Sequence, residues 1–206
     1  MPEKVDVFVR VFAISDESLR GDLRWGLTQA VIARWLMQKD INLTLLCAGA
    51  IIRIAGAESV LINTEEKFHM NSKREAERRA HMPIYVIADD DCLPLGSNFI
   101  HRGATILNEH EDYGLVSATS ICDGAYPAGK GGQTADIEEM HSVGGICFVR
   151  KGLLSEFNDL GANRVDESIC SEVKRLGYKT GVLTRVRMNH IGSGFSLTGG
   201  PGNWMA

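Results

Sequence analysis

Long apolar runs are missing from this sequence. No stretch approaches the roughly 20 apolar residues that a bilayer-crossing helix needs, which excludes such a span. The opening Met1-Pro2-Glu3-Lys4 lacks the charged-then-apolar layout of a signal peptide, so a cytoplasmic protein is expected. Paired cysteines are missing too. Cys47, Cys92, Cys122, Cys147 and Cys170 are scattered and odd in number, with no Cys-x-x-Cys for zinc or redox work, and free buried thiols are expected. Nor is positive charge in excess. A net charge of −4 argues against a broad electrostatic grip on nucleic acid, although a local basic patch is compatible with it. Hydrophobic residues at 44% and charged residues at 23% are the balance of a soluble globular chain. Its 206 residues suffice for one well-filled core and point to a single domain over 1–206.

What is present is one short apolar run that ends in acids. Ile84-Tyr85-Val86-Ile87-Ala88 follows Pro83 and shows no polar alternation, so it reads as a strand buried on both faces, as in a parallel sheet flanked by helices. Asp89-Asp90-Asp91 then stands at its carboxyl end, the edge where open α/β sheets bind ligands. Carboxylates there are hard donors for Mg²⁺ or Mn²⁺, ions that complete their shells with phosphate and water. The run therefore points to a metal and a phosphorylated substrate.

Strands and helices alternate around it. Val5 to Ile14 reads as a first strand, in which Arg10 sits near the carboxyl end and can reach an anion; Ser15 to Gly26 reads as a polar loop over the ligand edge. Leu27, Val31, Trp35 and Leu36 form the apolar face of a helix, Ile41 to Cys47 a second strand, Ile51 to Ala57 a short helix, and Ser59 to Ile62 a third strand. Asn71 to Ala80 is a highly charged helix: Glu75 and Arg79 form an ion pair, while Lys73, Arg74 or Arg78 faces either solvent or a diphosphate. A helix within Ser97 to Glu111, a strand at Tyr113 to Ile121, and a strand at Val143 to Arg150 follow. Between the last two, residues 123–142 are Gly-rich and polar, the composition of a mobile lid. A helix opens at Val165 and ends at Gly177, with Asp166 placed to cap it; a strand runs from Lys179 to Met188, and the Gly-rich tail from 191 is expected to be flexible.

In this order the pieces resemble the GT-A glycosyltransferases, especially the inverting family-2-like members. Asp89-Asp90-Asp91 is similar to the family's Asp-x-Asp motif, with Asp89 and Asp91 in its acidic positions. The resemblance makes Asp89 and Asp91 metal ligands and Asp89 and Asp90 nucleotide contacts. Val165-Asp166-Glu167-Ser168-Ile169, counted back from Gly177-Tyr178, resembles the Glu-Asp-x-Asp-Leu helix and puts Asp166 on the catalytic aspartate. Val165 and Ser168 stand where the family has acids, which leaves Glu167 as the rival base. His190-Ile191-Gly192-Ser193 is similar to the position whose histidine joins the metal or diphosphate site.

What the resemblance implies is an α/β, Rossmann-like three-layer α/β/α fold with a mostly parallel mixed sheet. It implies Mn²⁺ or Mg²⁺ as cofactor, a nucleotide-sugar donor, a UDP-sugar first among them, and an unidentified acceptor hydroxyl attacked with inversion. Phe12, Asn71, Arg74 and Arg78 complete the expected donor site. Family members usually place an acid after the second strand to read uracil, where this chain has Cys47-Ala48-Gly49. Two alternatives stand beside this reading. A nucleotidyltransferase would normally carry a Gly-rich, basic loop after the first strand, and Phe12-Ala13-Ile14-Ser15-Asp16 is not one. A non-catalytic nucleotide-binding protein would keep the fold and tolerate Val165 and Ser168.

Overall fold

The computed structural model describes residues 4–12, 19–62, 68–121, 135–155 and 165–191. In chain order they form β1 (Val5–Phe12), α1 (Leu19–Leu36), β2 (Ile41–Ala48), β3 (Glu58–Ile62), α2 (Phe68–Arg79), β4 (Ile84–Asp89), β5 (Cys92–Pro94), α3 (Phe99–Glu109), β6 (Tyr113–Ser120), β7 (Ile137–Glu139), β8 (Ile146–Arg150), α4 (Val165–Arg175) and β9 (Lys179–His190). One nine-stranded sheet runs β3-β2-β1-β4-β8-β6-β9-β5, with β7 also paired to β9. β3, β2, β1 and β4 are mutually parallel, as are β6 and β9, whereas β5, β7 and β8 run against their neighbours. The sheet is therefore mixed and mostly parallel.

Two apolar cores lie on its two faces, which makes three layers. Val5, Val7, Val9 and Val11 of β1 and Val86 and Ala88 of β4 pack with Val31, Ile32 and Trp35 of α1 and Phe99, Ile100 and Leu107 of α3. Phe8, Tyr85 and Ile87 point the other way, to Met70 and Ala76 of α2 and Ile169, Cys170 and Val173 of α4. Burial on both faces is why β4 has no polar alternation. Of the cysteines, Cys47, Cys92, Cys147 and Cys170 are buried free thiols, and Cys122 lies outside the described residues.

Several expectations need correction. Residues 19–26, expected within a loop, belong to α1, because polarity alone does not separate a solvated helical turn from a loop. Residues 51–57 are not helical. Gly56 takes a φ of 88°, Ala57 N–H donates to Ile54 O, and Ser59 Oγ donates to Ile52 O, so the segment closes as a turn against β3. Of the expected lid, 123–134 lie outside the described residues, while Ile137–Glu139 form β7, an edge strand on β9. The flexible tail expected from 191 lies outside them from 192 onward. Leu93-Pro94-Leu95-Gly96 reads as a turn in the sequence, but its first two residues belong to β5.

Two irregularities position the site. The β6/β9 register jumps from Ala118↔Leu183 to Thr119↔Arg187, a bulge that re-aims the end of β9 towards β5. On the other face, the buried carboxylate of Glu77 accepts hydrogen bonds from Tyr85 Oη (2.8 Å), Gly152 N (2.5 Å) and Leu154 N (3.1 Å). It fixes α2 against β4 and the turn after β8, and so fixes Lys73 one helical turn earlier. α4 ends in a Schellman motif: Tyr178 N–H reaches Val173 O (3.1 Å), Gly177 N–H reaches Lys174 O (2.9 Å), and Gly177 has a φ of 89°.

Candidate active site

The site is built at the carboxyl edge of the parallel strands. Parallel register sets Arg10 of β1 beside Asp89 of β4, and the two side chains form a buried ion pair. Asp89 is held from the other side as well, since its N–H donates to Gly145 O (3.2 Å) just before β8. Next to this pair lies a second one. Lys73 of α2, itself only 3% exposed, donates to Asp166 Oδ1 of α4 at 2.5 Å, while the Asp166 side chain keeps 38% of its exposure. Asp166 therefore combines a fixed orientation with an open face. Beneath the two pairs is a cavity of about 10 Å³, lined by Arg10, Lys73, Cys147 and Asp166 among others, with room for at most one water. A ligand must lie over this cluster, not within it.

The cluster is acidic at heart. Burial pushes the Asp89 carboxyl above its ordinary value, Arg10 pulls it back, and Asp91 and Asp166 push it the same way as burial. Burial would also lower the charge affinity of Arg10, but Asp89 and Asp166 more than offset it and keep the guanidinium charged. Burial and Asp166 push the Cys147 thiol up, and burial and Asp91 push Cys92 up, so both carry their protons where no cation displaces them. Among the described residues three carboxylates face two cations here, a balance that suits added positive charge.

Asp91 provides the place for it. β5 and β9 pair antiparallel with Cys92 opposite His190, and Ile191 N–H donates to Asp91 O at 2.9 Å. Asp91 Oδ1 lies 3.5 Å from His190 Nε2 and 3.4 Å from Cys92 Sγ. One donor atom from each of these residues falls within 4.8 Å of the others, a set that fits a divalent cation. The Asp91 and His190 side chains keep 14% and 15% of their exposure.

The other expected residues are dispersed. Asp90 is buried and accepts a hydrogen bond from Thr28 Oγ1 of α1 at 3.2 Å. Arg78 is exposed and grips Glu75 (2.8 and 2.5 Å), which also takes Arg79 (2.6 Å), so these charges form an ion-pair cluster on the outer face of α2. Asn71 and Arg74 are half-buried on α2, and Glu167 is half-buried beside Asp166 in the first turn of α4. Phe12 ends β1, and its side chain lies outside what the structure describes. Sequence reasoning left Arg10 and Lys73 among several candidate anion contacts; the structure pairs them with Asp89 and Asp166. It missed Cys92 as a neighbour of His190. The signal for that is the pairing of β5 with β9, which three residues ending in Pro94 do not announce.

No family model and no curated protein matches the sequence. Solved structures do. The chain is similar to S. aureus TarS 1-349 at a TM-score of 0.65 and 11% identity over 90% of this chain and 59% of that one. In the complex of TarS 1-349 with UDP-GlcNAc the corresponding values are 0.61, 10%, 94% and 62%. The mannosyltransferase PcManGT from Pyrobaculum calidifontis, in complex with GDP-Man and Mn²⁺, matches at 0.59 and 16% over 91% and 56%. CMP:2-keto-3-deoxy-manno-octonic acid synthetase complexed with CTP matches at 0.56 and 10% over 88% and 89%. This chain thus spans about three fifths of TarS 1-349 and of PcManGT. Its fold is the GT-A fold of these glycosyltransferases.

Proposed function

We propose that this protein is a metal-dependent glycosyltransferase, with residues 1–206 acting as one nucleotide-sugar-binding domain. It moves a sugar from a nucleotide-sugar donor to an acceptor hydroxyl with inversion. The observation that carries the reading is the convergence of Asp89, Asp91 and Asp166, with Arg10, Lys73 and His190, at the ligand edge of a GT-A sheet. Asp166 is the base: its carboxylate accepts the proton of the acceptor hydroxyl as that oxygen attacks the anomeric carbon, and one carboxylate suffices for a single displacement. Lys73 holds the Asp166 carboxylate in place, and Glu167 is the rival base. Arg10 anchors Asp89, whose carboxylate would accept from ribose hydroxyls. Asp91 and His190 would hold Mn²⁺ or Mg²⁺, whose charge would offset that on the departing nucleoside diphosphate. Asn71 and Arg74, half-buried on α2, are the further donor-site candidates, whereas Arg78 is held by Glu75 on the outer face of that helix and Asp90 by Thr28 of α1. A UDP-sugar is the first donor to try, since the TarS structures hold UDP and UDP-GlcNAc, with GDP-mannose next because PcManGT holds it.

No described helix is long and apolar enough to cross a membrane, and four buried unpaired thiols suit a reducing compartment such as the cytoplasm. A nucleotidyltransferase is the second reading, favoured by the near-complete mutual coverage with the CTP-bound synthetase. Incubation with UDP- and GDP-sugars and Mn²⁺, and separately with CTP or UTP and free sugars, separates the two by product. Free nucleoside diphosphate is the expected result. Pyrophosphate from the triphosphates, with every nucleotide sugar unchanged, would replace the transferase by the nucleotidyltransferase, and no turnover of either kind would leave a binding protein.

A further inference from the structure

The donor set at Asp91 contains a residue that carboxylate-and-imidazole chemistry does not require. Cys92 is fully buried, and its sulfur faces the same carboxylate oxygen as the His190 ring. Backbone geometry imposes this arrangement. Cys92 and His190 are direct partners across the antiparallel β5/β9 pair, so their side chains leave the sheet on the same face, and Asp91 is tied to the end of β9 through Ile191 N–H. The spacing is informative as well. With metal–oxygen and metal–nitrogen bonds of about 2.1 Å and a metal–sulfur bond of about 2.3 Å at tetrahedral angles, neighbouring donors lie about 3.4–3.6 Å apart. Here Asp91 Oδ1 is 3.4 Å from Cys92 Sγ and 3.5 Å from His190 Nε2. Two edges of a tetrahedral face are thus already at coordination length, and the third lies within 4.8 Å.

We propose that Cys92 is the third protein ligand of this cation site, binding as a thiolate alongside Asp91 and His190, and that it turns the site's preference from Mg²⁺ towards Zn²⁺ and Co²⁺. The inference rests on the reading of Asp91 and His190 as cation ligands. Binding replaces the S–H bond by a sulfur–metal bond and releases the thiol proton to solvent, with no change of oxidation state. Three protein ligands are the number found in catalytic rather than structural sites of such ions. A hard all-oxygen ion gains little from sulfur, whereas thiophilic ions gain much.

Metal-free full-length protein titrated with Co²⁺ tests this without any sugar donor. One equivalent should bind and give an ultraviolet sulfur-to-cobalt charge-transfer band, which Zn²⁺ displaces and which Cys92→Ser abolishes. Cys92→Ser should weaken Zn²⁺ binding roughly 10²-fold and leave Mg²⁺ binding nearly unchanged. Because that variant alters a core residue, X-ray absorption of the Zn²⁺-loaded wild-type protein decides independently, by one sulfur at about 2.3 Å. A Co²⁺ or Zn²⁺ complex with only oxygen and nitrogen ligands, or a band that survives in Cys92→Ser, would overturn the proposal and reduce Cys92 to a buried thiol donating weakly to Asp91. Sulfur ligation without turnover of any donor would sink the transferase and keep this site; turnover without sulfur would do the reverse.

Discussion

At the scale of single residues, Asp166 carries two duties that can be pulled apart. It is the carboxylate partner of a nearly buried ammonium and, in the proposed reaction, the base. Asp166→Asn keeps the shape but leaves Lys73 facing a neutral amide, so some stability is lost on either account. Turnover discriminates. If Asp166 is the base, kcat falls roughly 10²- to 10⁴-fold in Asp166→Asn while donor Kd changes little. Lys73→Gln removes the same ion pair from the other side and keeps the base, so it should lower Tm comparably but spare most of kcat. Equal losses of kcat in the two variants, tracking Tm, would make the pair structural. Wild-type turnover in Asp166→Asn with loss in Glu167→Gln would shift the base by one residue.

At the scale of elements, what could be read from the sequence was what local physics writes locally. Continuous burial makes β4 an unbroken apolar run, and the left-handed turn at Gly177 leaves a glycine just beyond Arg175. The start of α1 and the turn at 51–57 were misread because short polar or mixed stretches fit more than one conformation, and β5 and β7, at three residues each, are too short to show a period. Glycine shows the difference between local and tertiary constraint. At Gly177 an added Cβ would meet nothing, so Gly177→Ala is penalised only by its positive φ, about 1 kcal/mol, and Gly177→Asn by less. Gly103 of α3 has no unusual φ, yet its Cβ would stand 2.1 Å from the buried Phe148 ring of β8. Gly103→Ala should therefore be the worse change, at the upper end of about 1–3 kcal/mol, because the helix must lift off the sheet. Thermal melts of the two variants check the order, and a larger loss at Gly177 would contradict this packing.

At the scale of the whole molecule, the site belongs to no single segment. β1 and β4 bring Arg10 and Asp89; α2 and α4 bring Lys73 and Asp166 over one face; β5 and β9 bring Cys92 and His190 from the far half of the sheet, with β8 and β6 between. Asp89, Asp91 and His190 were legible as a motif and a spacing, but Arg10 beside Asp89 depends on a parallel register and Cys92 beside His190 on a bulge in β9, neither of which a sequence displays. A site assembled this way couples ligand binding to the stability of the whole fold. Asp91 and His190 would hold the cation in the proposed site, and its charge would favour a diphosphate beside it, so UDP and Mn²⁺ should stabilise together and not additively. At about a hundred times Kd, binding adds about 2.7 kcal/mol, which for a chain of this size raises Tm by about 5–10 °C. UDP in EDTA, and Mn²⁺ alone, should each give a small part of that shift, and Asp91→Ala should remove the joint effect while leaving the fold intact, since Asp91 stands in a turn at the sheet edge. An equal Tm shift by UDP with EDTA and with Mn²⁺ would show that the nucleotide binds without the ion, and that the acidic turn after β4 serves another purpose.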